Sequence, residues 1–232
     1  MLSILQPQLD TPLGSGPYLL DLGCCVGQEL RSLAFAGIPS SHLYGSDLVP
    51  SFLEKSYELF ADQKIFEGTL VAANIFSSTL FAGPFRGWEH KFRTVHTGLF
   101  LHLFSWEQQV VVCSKIITLL AEVPGSLFLG EMVGCKGGGA RGVEFGKVFW
   151  EKGKEKQHFL HDNETFSRMW DEVATNTGTE GQWKVSGEFR TWNQCNLVDG
   201  KKAGSVFVGE GIGWLTFGVE RICGVDMKPH VT

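Results

Sequence analysis

The segment YLLDLGCCVGQEL holds the residues with the clearest chemistry in the chain. An apolar run ends in Asp21-Leu22-Gly23, turns through Cys24 to Gly27 and continues into a segment with helical period. Gly23 lets the backbone bend closely around a ligand, and Gly27 permits a tight entry into the helix. The dinucleotide fingerprint G-x-G-x-x-G needs bare backbone where a pyrophosphate meets a helix N-terminus. Here Cys25 puts a side chain at the middle position, and Asp21 adds negative charge beside it. Such a loop disfavours an anionic pyrophosphate and favours a ligand bearing a cationic amino group and a sulfonium. A second acid, Asp47 in LYGSD, follows Gly23 by 24 residues and ends the next apolar run. Doubly wound folds place a carboxylate there to accept hydrogen bonds from ribose hydroxyls.

Other clusters carry weaker chemistry. The stretch GCKGGGARG, with Lys136 and Arg141, has the glycines of a phosphate cradle but lacks the Gly-Lys-Ser/Thr ending of a Walker loop. It reads as a surface loop, with a lid over a bound acceptor as the alternative. His158 and His161 lie three apart beside Asp162, yet no matching Cys or His group completes a zinc pattern. Trp106 stands close enough to His102 to line a pocket; the remaining tryptophans read as packing.

The elements that must position these residues alternate in type. Strand candidates are Tyr18–Leu22, Leu43–Asp47, Leu70–Ile75, Arg93–Thr97, Ser126–Glu131, Trp183–Phe189 and Leu215–Cys223. Between them, helical patterns cover Gln28–Ala36, Phe52–Phe60 and Trp106–Leu120, the last opened by a Ser105/Gln108 capping box. A fourth helix starts at Asp162 or Asn163 and ends near Gly178. Phe81–Lys91 and Asn193–Gly213 read as loops. This alternation predicts an α/β fold, a mostly parallel seven-stranded sheet with helices on both faces. Residues 1–17, where LQPQLDTPLGSGP is not helical, read as a short extension before one domain over 18–232.

Composition excludes several classes. With 43% hydrophobic and 19% charged residues the chain can bury a sizeable core. Twenty basic against 25 acidic residues give a net charge of −5, which argues against nucleic acid as the main partner. No run approaches the roughly 20 apolar residues of a membrane helix, and the N-terminus lacks a signal-peptide pattern. Six scattered cysteines then read as reduced thiols in a cytoplasmic setting.

Over residues 18–190 the chain resembles the small class I methyltransferases of fungal secondary metabolism, especially those of meroterpenoid and terpenoid pathways. The resemblance rests on LLDLGCCVGQELRSLAFAGIPSSHLYGSDLVPSFLEKSYELF, FLHLFSWEQQ, PGSLFLGEMVG and FLHDNETFSRMWDEVATNTGT followed by WKV. It implies a Rossmann-like class I methyltransferase fold, S-adenosyl-L-methionine as donor, and methylation of an oxygen, often a carboxylate, of a small acceptor. A homodimer is one arrangement it leaves open. Asp21, Gly23, Cys24 and Gly27 match the family's cofactor loop, and Asp47 with Leu48 its ribose-binding turn. Asn74, followed by Ile75 in AANIF, stands where relatives carry an acid contacting the adenine amine; its carbonyl can still accept that bond. Glu131 stands where relatives tend to carry a basic residue. His102 in FLHLF follows the fourth strand, the usual border of donor and acceptor, and with His96 flanks the stretch where the acceptor sits. His102 is thereby the candidate base for a phenolic acceptor, whereas a carboxylic acid is ionised already. The alternative reading is a catalytically weak or inactive methyltransferase-like binding or regulatory protein.

Overall fold

The computed structural model of the chain describes residues 19–142, 157–191 and 211–222. The first strand, β1 (Leu19–Leu22), is buried along its whole length and leads through the Gly23–Gly27 turn into helix α1 (Gln28–Phe35). Then come β2 (Leu43–Asp47), α2 (Pro50–Phe60), β3 (Thr69–Ala72) and β4 (Thr94–Gly98). A 3₁₀ turn at Leu101–Leu103 precedes α3 (Trp106–Leu119) and β5 (Leu127–Cys135). The chain continues with β6 (Gly139–Gly142), β7 (Gln157–Leu160), α4 (Asn163–Thr177), β8 (Trp183–Thr191) and β9 (Ile212–Arg221).

Seven strands form one sheet in the order β3-β2-β1-β4-β5-β9-β8. The first five are parallel; β9 runs antiparallel to β5 and to β8. Strands buried on both faces need apolar residues at successive positions, which is why LLDL and TVHTG do not alternate cleanly. One face carries Leu19, Leu43 and Leu129 against Leu30 and Leu33 of α1. The other carries Leu20, Val95 and Phe128 against Val112 and Ile116 of α3 and Phe166 and Trp170 of α4. Sheet order, crossover helices and layers are those of the expected Rossmann-like class I methyltransferase fold.

Local chemistry sets the helix boundaries. The Ser105 hydroxyl accepts from the Gln108 backbone N–H while the Gln108 side chain accepts from the Ser105 N–H, the expected capping box. Asp162 and Thr165 make a second box at the start of α4. Gly178 closes that helix at φ 64, a conformation natural to glycine. Pro50 occupies the first turn of α2, where its missing N–H costs nothing.

Three expectations need correction. GCKGGGARG is not simply a loop: Gly139–Gly142 pairs antiparallel with Gln157–Leu160 as a separate two-stranded sheet, which a glycine-rich sequence with no apolar alternation does not advertise. β3 ends at Ala72, short of Ile75, because the Asn74 side chain accepts from the Phe76 N–H and turns the chain. β9 begins at Ile212, inside the stretch read as a loop, because register with Cys135 draws it into the sheet. Residues 1–18, Arg141's side chain, Cys195 and Cys223 lie outside what is described.

Candidate functional site

A cavity of about 360 Å³ opens at the C-terminal ends of the parallel strands, where doubly wound sheets bind ligands. Its volume falls in the range of small-molecule sites. Consecutive strand ends supply its polar edge: Gly23 after β1, Asp47 and Leu48 at β2, Asn74 and Ile75 beyond β3. Its opposite wall is aromatic, with Phe76, Phe85, Phe100 and Phe104. Among the described residues that line it, Asp47 carries the only charge.

Asp47 is held rigidly. Its Oδ2 accepts from the Cys25 N–H at 2.9 Å and its Oδ1 from the Val49 N–H at 2.9 Å. Each carboxylate oxygen keeps a further lone pair for a diol. The first of these bonds also ties the β1 turn to β2, with Cys25 at φ 51. Gly23 and Cys24 reinforce the tie, since both their N–H groups donate to the Ser46 carbonyl.

The structure brings together Gly23, Asp47, Leu48, Asn74 and Ile75, and leaves Asp21, Cys24, Gly27 and His102 outside the cavity lining. Asp21 is buried and its carboxylate meets His96 instead. Cys24 is buried with its sulfur packed near Gly45. Burial, then the carboxylates of Asp21 and Asp47, push its thiol far up, so it remains a neutral packing group. Gly27 makes room for an arginine: a Cβ there would stand 2.9 Å from Nη1 of Arg31. That guanidinium donates to the Val26 and Gly27 carbonyls and to both oxygens of Asp62, over the rings of Phe60 and Phe66. It fastens the turn to α2.

His102 is buried, and desolvation followed by the charge of His158 lowers it to about 4. Trp106 does not line the cavity either; its ring packs on Phe159 and its N–H donates to Glu172. Among the described residues no group of three or more His, Cys, Asp or Glu could hold a metal ion. None of their helices is long and apolar enough to cross a membrane.

Sequence reasoning missed the aromatic wall and the cation behind it. Phe85 lies in the segment read as a loop, yet it is buried and stacks on Trp88 at 4.5 Å. The aromatic density of FAGPFRGW was the available signal. Lys115, within the apolar run of α3, donates to the Ile75 and Ser77 carbonyls at 2.6 and 3.0 Å. It fixes the Asn74–Ser77 edge from behind.

The cavity suits a nucleoside with a cationic arm. A rigid carboxylate faces it, apolar and aromatic groups offer surface to a base, and among the described lining residues no cation invites a pyrophosphate.

The chain has methyltransferase relatives among known proteins. No family model matches the chain. O-methyltransferase phiE from Fungal sp. (strain ATCC 74256) is 40% identical over 181 residues, covering 78% of this chain and 56% of the relative. Methyltransferase ausD from Aspergillus calidoustus is 40% identical over 166 residues, covering 70% and 55%. The asnovolin E/chermesin D methyltransferase nvfJ from Aspergillus novofumigatus is 30% identical over 194 residues, covering 81% and 65%. The chain thus spans little more than half the length of most of these curated relatives. Among solved structures, phosphoethanolamine N-methyltransferase 2 of Haemonchus contortus matches with a TM-score of 0.59 at 17% identity, over 96% of this chain and 52% of that one. The [4+2]-cyclase SpnF matches at 0.60 and 12% identity, over 96% and 79%. A cyclase on the same architecture means that the fold alone does not assign methyl transfer.

Proposed function

Since the chain is a relative of the fungal secondary-metabolism O-methyltransferases, we propose that it binds S-adenosyl-L-methionine and serves methyl transfer to an oxygen of a small secondary metabolite, a carboxylate of a meroterpenoid or terpenoid intermediate. The observation that carries this reading is the convergence of Gly23, Asp47 and Asn74 on one cavity whose lining bears a single negative charge. When bound, the donor supplies an electrophilic methyl group on a sulfonium. Asp47 accepts from the ribose hydroxyls, the Asn74–Phe76 edge borders the base, and Leu48 packs beside it. The aromatic wall excludes water, and holding nucleophile against methyl accounts for much of the acceleration. Calorimetry with S-adenosylhomocysteine, followed by turnover of labelled donor with terpenoid and aromatic acids, tests the reading; NAD serves as the negative control.

Replacing Asp47 with Ala is expected to weaken S-adenosylhomocysteine binding by roughly 1–3 kcal/mol, the range for a lost charge-assisted hydrogen bond. Unchanged affinity in a folded variant would remove Asp47 from the site.

The acceptor reading also sets the role of His102. A carboxylate acceptor needs no base, and a buried imidazole lowered to about 4 is a weak one. His102→Gln is therefore expected to keep most of the turnover. A phenolic acceptor would instead cost roughly 10²–10⁴-fold, the usual contribution of general base catalysis. Turnover of both proteins with carboxylic acid and with phenolic acceptors at pH 7 decides between them: a loss of roughly 10²-fold or more in the variant would overturn the carboxylate reading.

A further inference from the structure

We propose that Gln108 binds the methyl acceptor, its side-chain N–H donating to one oxygen of the carboxylate to be methylated. This deepens the carboxylate reading and rests on it. Gln108 lines the cavity together with Leu103 and Phe104. Of the described lining residues that follow Asn74 in the chain, it alone has a polar side chain. The capping box decides which end of its amide is free. Oε1 of Gln108 accepts from the Ser105 N–H at 3.2 Å, and only the carbonyl end of an amide can accept, so Nε2 is the end left over. Among the described residues Nε2 donates to no protein group. The neighbouring side-chain donors are all engaged. The Ser105 hydroxyl donates to Glu107 and the Trp106 N–H to Glu172, each at 2.7 Å. The Gln109 amide donates to the Phe104 and Phe159 carbonyls at 3.1 and 2.9 Å, which ties the cavity wall at Phe104 to β7.

A capping box works with Glu at this position as well as with Gln. What Gln adds is an N–H where Glu would set a negative charge. A carboxylate brought against an apolar wall loses its hydration and needs a hydrogen bond to offset the loss. Asn74 and Asp47 at the strand ends serve the base and ribose of the methyl donor. The lining that residues 99–108 supply, between β4 and α3, is then left to the acceptor. Its apolar groups suit the carbon skeleton, and one amide fixes the orientation, as in small-molecule sites generally. With one carboxylate oxygen held by Nε2, the other forms the new bond to the methyl carbon as that carbon's bond to sulfur breaks. The electron pair stays on sulfur, a neutral thioether and a methyl ester result, and no proton is transferred.

Gln108→Glu separates the two roles of this side chain. It keeps the acceptor for the Ser105 N–H and replaces the free N–H with a negatively charged oxygen. The probes are farnesoic acid and benzoic acid, a terpenoid and an aromatic carboxylate at pH 7, with labelled S-adenosyl-L-methionine at saturation. The variant is expected to keep the parent's urea midpoint and its affinity for S-adenosylhomocysteine. Its kcat/KM for the acids is expected to fall roughly 10-fold or more, the size of a lost hydrogen bond to a charged group. Should Gln108→Glu fail to fold, Gln108→Met keeps the length without the N–H and carries the same expectation for turnover and for S-adenosylhomocysteine. Unchanged kcat/KM in a folded variant would overturn the proposal. So would a loss of S-adenosylhomocysteine affinity that matches the loss of turnover, since Gln108 would then serve the methyl donor. A parent that binds S-adenosylhomocysteine but methylates neither acid would overturn the carboxylate as its partner. A parent that does not bind S-adenosylhomocysteine would instead sink the methyl-donor reading itself, and this inference with it.

Discussion

Gly23→Val is expected to abolish S-adenosylhomocysteine binding while leaving a folded protein. Gly23 sits at φ 74, where a β-branched residue is a steric outlier. A left-handed non-glycine residue costs about 1–2 kcal/mol before any packing is considered. Packing makes it worse here: the first carbon of a side chain would stand 2.5 Å from Cδ2 of Phe100. Overpacking of this kind adds typically about 1–3 kcal/mol. Relief comes only by turning the β1 turn away from Ser46 or by moving Phe100, and both border the cavity. The two causes separate experimentally. In Gly23→Ala, Phe100→Ala the clash is gone and the backbone strain remains, so binding should recover in part relative to Gly23→Ala alone. Normal S-adenosylhomocysteine affinity in Gly23→Val would break the link between this turn and the ligand.

The second large effect is on acid stability. His161 is fully buried within ring contact of Trp106, Phe159 and Phe166, and among the described residues neither ring nitrogen has a hydrogen-bond partner. Desolvation lowers it from 6.5 to about 4, with the carboxylate of Asp162 opposing; His102 is lowered to about 4 as well. Both are neutral in the folded protein and take up a proton on unfolding once the pH drops below 6.5. Their contribution to stability is therefore complete above pH 6.5, is lost as the pH falls towards 4, and changes no further below it. A displacement of this size amounts to roughly 3 kcal/mol for each histidine. Urea unfolding at pH 7.5 and at pH 5 should show the loss, and His161→Leu should remove about half of it. The same variant is expected to be no less stable than the parent at pH 7.5, since an apolar side chain replaces two unsatisfied buried nitrogens. An unaltered pH dependence in His161→Leu would show that this histidine is not the acid-labile group.

Neither effect was foreseeable from residue types alone, although the segments involved were. DLGCCVG announced a turn at Gly23, but nothing in it names Phe100, 77 residues later, as the group that forbids a side chain there. FLHDNETF announced a helix start at Asp162, and the capping box formed as its spacing implies. That His161 beside it would be sealed among aromatic rings depends on Trp106 arriving from α3.

What the chain alone determined is whatever its local periods and turn chemistry encode. The alternation of apolar runs with helical patterns specified the sheet's seven strands and the four helices between them, because burial on two faces and on one stripe leave different periods. The spacing from Gly23 to Asp47 likewise placed a turn and an acid at neighbouring strand ends, since one crossover separates them. Tertiary structure decided which groups meet. Asp21 was read as a cofactor contact, yet β4 pairs beside β1 and delivers His96 to its carboxylate. Gly27 was read as room for a helix entry, yet Arg31 occupies that room and joins the turn to Asp62. Lys115 interrupts the apolar run of α3, and only packing sets it under the Ile75 carbonyl. Each of these contacts joins residues that only strand order or helix packing brings together, and side-chain type at one position carries no record of its partner.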